Sequence, residues 1–217
     1  MGSITRSFAN NIGTSGILKA GAFNNASLNN VTALNAAIAT GNMVLISSQT
    51  ASSSASISFT TGIDSTYKEY QFYFINCHPA TDNTDFTFNM STDSGSNYNV
   101  TKTSTFFRAY NEEASDFGFA YDTGDDLAQS TAFQSLLGDV GADNDQQCSG
   151  LLTLFNPSST TYVKHFISVA NNAHASDYSI NFYVAGYGNT TSAVNAVQFK
   201  FASGNIDDGT ILMFGIK

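Results

Sequence analysis

From Met43 to the C-terminus the chain alternates apolar and polar residues in short runs, broken about every ten residues by clusters of Gly, Asn, Asp and Ser. Phe86, Phe88 and Met90 alternate with Thr87 and Asn89, and Val197, Phe199 and Phe201 alternate with Gln198 and Lys200. A period of two puts one set on each face of a strand, so the runs predict antiparallel strands with one buried and one solvated side. Strands are expected at 43–49, 55–61, 67–77, 86–91, 103–111 and 117–122, then at 150–156, 162–170, 178–187, 196–203 and 211–216. Eleven short strands fit two packed sheets, an all-β antiparallel sandwich with jelly-roll-like topology as the first choice among Greek-key arrangements. Pro79 and Pro157 fall at strand ends, where a missing N–H does little harm. The interval 123–149 is long for a sandwich loop and is expected to carry a helical turn around Leu127–Leu137.

Residues 1–42 break the pattern. They are rich in Gly, Ala, Ser and Asn, and show no period of two. VTALNAAIAT, ended by Gly41, predicts a short helix. The large apolar side chains are thinly spread, and too few to build a core. The segment therefore reads as an extended N-terminal arm, with residues 43–217 forming the sandwich domain. Phe8, Ile12, Ile17, Leu18, Phe23 and Leu28 are the candidate anchors by which the arm would lie along a partner. A free tail is the competing reading of the same residues.

Composition narrows the function. The 217 residues carry a net charge of −9, with 8 Lys and Arg against 17 Asp and Glu, which is not the balance of a nucleic-acid binder. Only 12% are charged, and 27 Ser, 23 Thr and 22 Asn supply the polarity instead. With 18 Phe and 10 Tyr the chain is too aromatic for a disordered protein. No run reaches the roughly 18–20 apolar residues of a membrane-spanning helix. MGSITRSFANN has no apolar run that would read as a signal peptide. Cys77 and Cys148 are expected as reduced, buried thiols.

Candidate chemistry is sparse. Nine acids and no Lys or Arg lie between Glu112 and Asp145, and the other eight acids balance the eight bases. DTGDD and ADND could offer oxygen ligands to calcium, but neither has the spacing of a known calcium loop, and a solvated acidic loop is the plainer reading. His78 beside Cys77 suggests a Cys–His nucleophile pair, without an electropositive setting to support it. Paired carboxylates for glycoside hydrolysis depend on a separation that only three dimensions supply. No H-E-x-x-H, G-x-S-x-G or phosphate loop is present, and no motif asks for a metal or cofactor. By strand parity Tyr73, Tyr183 and Tyr187 face outward, where aromatic rings could stack on sugars, although the absence of Trp removes the best platform.

SITRSFANNIGTSGI at the start, ASISFTTGIDSTYKEYQFYFINCHPATDNTDFTFNMSTDSGSNYN in the middle and FKFASGNIDDGTILMFGIK at the end resemble virion structural proteins of tailed bacteriophages, marine ones in particular. The resemblance implies a non-enzymatic subunit: a capsid decoration, a head–tail surface component or a short fibre. It would be assembled in bacterial cytoplasm and partnered by capsid or tail proteins. It carries no functional residue by position. An arm followed by a compact β domain suits such docking, and closed symmetry, with three copies as the expectation, suits such subunits. A receptor-binding, lectin-like sandwich contacting host glycans is the alternative, and a small hydrolase is a distant third.

Overall fold

The computed structural model describes residues 42–113 and 116–217. The helix expected over 31–40, the six arm anchors and all of the 1–42 arm except Asn42 lie outside the described residues.

Twelve strands form two antiparallel sheets. The larger contains β1 (Met43–Thr50), β3 (Glu69–Pro79), β5 (Lys102–Glu112), β6 (Phe117–Tyr121), β8 (Cys148–Phe155), β9 (Lys164–Ala173), β10 (Tyr178–Gly188) and β12 (Ile206–Ile216). The smaller contains β2 (Ile57–Phe59), β4 (Thr84–Ser91), β7 (Gln134–Val140) and β11 (Ala196–Phe201). Their orders are β1-β12-β3-β8-β9-β10-β5-β6 and β2-β11-β4-β7. Each strand of the smaller sheet is inserted in sequence between two strands of the larger, so the chain crosses from sheet to sheet repeatedly.

Alternation sets the core. Tyr70, Phe72, Phe74, Phe106, Phe166 and Phe182 project from the larger sheet, with Phe59, Phe86, Phe88 and Phe199 from the smaller, all at most 2% exposed. Rings meet across the gap: Phe72 lies 5.5 Å from Phe199, Phe74 5.1 Å from Phe86, and Phe88 5.0 Å from Phe166. Burying each ring is worth about 1.5–3 kcal/mol, so this aromatic layer dominates cohesion between the sheets. Tyr70 keeps its hydroxyl satisfied at the rim, donating to the Asp64 carbonyl and accepting from the Asp64 N–H.

Two expectations need correction. Leu136 and Leu137 belong to a strand, β7, paired with β4, and no helix occurs among the described residues. Adjacent leucines and two register shifts against β4 hide the period of two, and Asp139 sits at a φ of 57°. The second concerns β4, whose Thr87 and Asn89 were expected in solvent but are 3% and 0% exposed. Asn89 donates to the carbonyls of Tyr98 and Thr131, because the loops after β4 and before β7 fold over that face.

The thiols lie where β3 meets β8. Cys77 and Cys148 are paired across the two strands, fully buried and not joined by a disulfide, with Cys148 Sγ donating to the Cys77 carbonyl at 3.4 Å. Burial pushes the Cys77 thiol up to about 12 and raises Cys148 as well.

Candidate functional site

The smaller sheet covers one face of the larger. Among the described residues no strand lies over the other face. The register assembles that outer face row by row. One row runs Tyr121, Phe107, Tyr183, Val169, Leu151, Tyr73 and Leu212 across seven successive strands. Its neighbour runs Thr105, Ala185, Ile167, Thr153, Gln71, Phe214 and Leu45. Phe107 stacks on Tyr183 at 5.3 Å and meets Phe119 at 5.4 Å, while Tyr73 meets Phe214 edge-on at 5.6 Å.

Solvent reaches this face. Phe117 and Phe119 on the edge strand are 76% and 71% exposed, and Ile167 and Val169 at mid-sheet are 49% and 41% exposed. Small Ala185 leaves a trough of about 440 Å³ between the aromatic row and the pair Tyr187 and His165. Formal charge on the strands of this face sits at their ends: Glu69 at the start of β3, to whose carboxylate Gln71 donates at 2.7 Å, and the exposed Asp207 and Asp208 at the start of β12. Tyr73, Tyr183 and Tyr187 all lie on this face, as parity predicts.

Charge collects at the ends of the strands, where an acidic hollow borders this face through Asn111, Asn171 and Ser179. Arg108 lies with its Nε 3.0 Å from Asp122 and its Nη1 3.5 Å from Asp139, and His174 Nε2 is 3.7 Å from the same Asp139 oxygen. Burial first, then the Asp85, Asp122 and Asp139 carboxylates, raise Asp125 to about 6. Asp85 is raised by burial, against hydrogen bonds from Ser135 and the Asp139 N–H. Glu112, Glu113, Asp143, Asp145 and Asp177 rim a hollow of about 560 Å³. No group of three or more metal-ligating side chains converges among the described residues.

The Cys–His pair does not assemble as a nucleophile. His78 Nδ1 is 2.7 Å from the Gln146 carbonyl, and its neighbour Cys77 is sealed in the core with its thiol stabilised in the protonated form.

Two buried lysines escape a reading of motifs. Lys102 and Lys164 are fully buried and flank Gly188 in register. Lys164 Nζ donates to the carbonyls of Tyr162 and Thr190. Lys102 donates to Asn89 Oδ1 and the Val100 carbonyl, and burial lowers its pKa to about 7. Their inward parity with Phe106 and Phe166 is the sequence signal that finds them. Comparison with family models, curated proteins and solved structures gives no match.

Proposed function

We propose that this chain is a non-enzymatic structural subunit of a tailed-phage virion: a capsid decoration, a head–tail surface component or a short fibre. Its partners are other virion proteins and further copies of itself, and it docks on the particle through residues 1–42. The arm's role rests on its sequence; the observation that supports docking by the β domain is the broad outer face of the larger sheet, rich in apolar groups and with formal charge only at its strand ends. An exposed apolar surface of this breadth marks an interaction site on a chain that otherwise keeps its charge in solvent. The phage origin rests on the sequence resemblance. A jelly-roll connectivity belongs to the same proposal, supported by the repeated crossing between sheets. Quantitative mass spectrometry of a purified particle tests the role: a fixed stoichiometry against the major capsid protein supports it, and absence from particles overturns it.

A lectin-like module is the second reading, favoured by the exposed Tyr183 ring stacked on Phe107 beside the trough over Ala185. Exposed rings of this kind can bind the apolar faces of sugars. A glycan array, with chemical shifts of Ala185 and Tyr187 followed for any hit, separates the two readings.

A further inference from the structure

We infer that the outer face of the eight-stranded sheet is where a second copy of this chain packs, sheet face on sheet face, about a twofold axis. The inference rests on reading that face as a docking surface, and not on the phage origin.

Three features select a second copy over other occupants. The first is charge. Each chain carries −9, so two copies repel wherever their acidic groups approach. The two long rows hold no formally charged residue. Glu69, already accepting a hydrogen bond from Gln71, and Asp207 and Asp208 lie at strand ends, and Asp126 meets the rows only at their edge, accepting from the Tyr121 hydroxyl. This face is therefore where like-charged copies can touch at least electrostatic cost. A basic partner would instead be drawn to the acidic rim around Glu112, Asp143 and Asp177.

The second is area. Eight strands spaced about 4.8 Å apart span about 34 Å, and seven residues along every strand but the five-residue β6 cover about 23 Å. The face thus offers about 800 Å² per copy, or about 1,600 Å² for a pair, the size of a standard stable interface.

The third is shape and chemistry. The long apolar row runs across seven strands with Val169 and Leu151 near its middle, and small Ala185 beside it leaves room for an opposing side chain. Two antiparallel sheets pack in this way inside sandwiches, at about 10 Å and within about 30° of alignment. The contact is isologous, the same rows meeting on both copies, so it closes as a dimer and does not by itself make a threefold assembly.

The test uses the full chain. Light scattering after size exclusion and sedimentation equilibrium should give a dimer at micromolar concentration. Ile167→Glu and Val169→Glu each place a carboxylate on an already exposed position of the face. Each should weaken dimerisation at least tenfold while leaving the melting temperature of the diluted protein within a few degrees. Tyr162→Glu, at an exposed position outside the rows, should leave the dimer intact. A monomeric wild-type chain at about 100 μM overturns the inference, as does a dimer indifferent to both face substitutions. Incorporation of a monomeric chain into particles would overturn this contact and leave the structural role standing.

Discussion

The side-chain nitrogen of Lys102 lies 2.6 Å from the carboxamide oxygen of Asn89, and both side chains are shut off from solvent. The Asn89 oxygen also accepts from the Met90 N–H at 2.8 Å, and its amide nitrogen donates to two loop carbonyls. Lys102 is satisfied by neutral acceptors alone, without a carboxylate. Burial therefore works against its charged form, and its proton is held at about 7 rather than 10.5.

That relationship fixes a pH dependence. Between about pH 7 and 10.5 the unfolded chain keeps the lysine proton and the folded chain releases it, so stability rises across this window. The slope from this group is at most about 1.4 kcal/mol per pH unit. Chemical denaturation of Lys102→Met from pH 6 to 10 should lack that rise. At pH 6 the variant should be the more stable chain by about 1–3 kcal/mol. Parallel curves for the two proteins would show that Lys102 titrates as a solvated lysine.

Asn89→Leu removes the hub and keeps the volume. The Met90 N–H, two loop carbonyls and the lysine then lose their partner. The expected loss is about 3–5 kcal/mol in urea unfolding. A second substitution, Lys102→Met, should recover part of it, since the buried amine no longer needs an acceptor.

Asp125 acts with the opposite sign. Its folded pKa of about 6 lies above the ordinary 3.8, so the folded chain binds the proton more tightly. Its contribution is fully present below about pH 4 and is lost as pH rises through 6. Asp125→Asn should flatten the stability profile between pH 4 and 6 and raise the melting temperature at pH 7. An unchanged melting temperature at pH 7 would show that neither burial nor the neighbouring carboxylates burden it.

Thiol chemistry should follow burial. Cys77 and Cys148 are expected to resist an aromatic disulfide reagent in the native protein, and to react together once urea unfolds it. A reductant should leave the melting temperature unchanged. Rapid labelling of either thiol in the folded chain would place the β3–β8 junction in solvent.

Gly209 sits where β12 slips register against β3, at a φ of 124°. A Cβ there would meet Cys77 Cα at 2.7 Å and the Asn76 carbonyl at 2.8 Å, both rigid backbone atoms. Gly209→Ala is expected to cost about 2–4 kcal/mol in urea unfolding. Gly124→Ala, where a Cβ meets nothing within 4 Å, is the matched control and should stay within about 0.5 kcal/mol.

Local pattern determined the strands. Eleven expected runs overlap strands, because alternation in a strand directly reports which side chains face the core. It also placed Tyr73, Tyr183 and Tyr187 outward and kept Phe86 and Phe199 inward. It failed at β7, where Leu136 and Leu137 are adjacent and the strand slips against β4. It failed for Thr87 and Asn89 as well, since a polar position on a strand is solvated only if no loop covers it, and alternation does not say what covers a face. Lys102 next to Asn89, Arg108 between Asp122 and Asp139, and a seven-strand apolar row are contacts between segments far apart in the chain. Each depends on which strands become neighbours and in what register. That choice is made by the whole core closing at once, and so tertiary structure alone decided it.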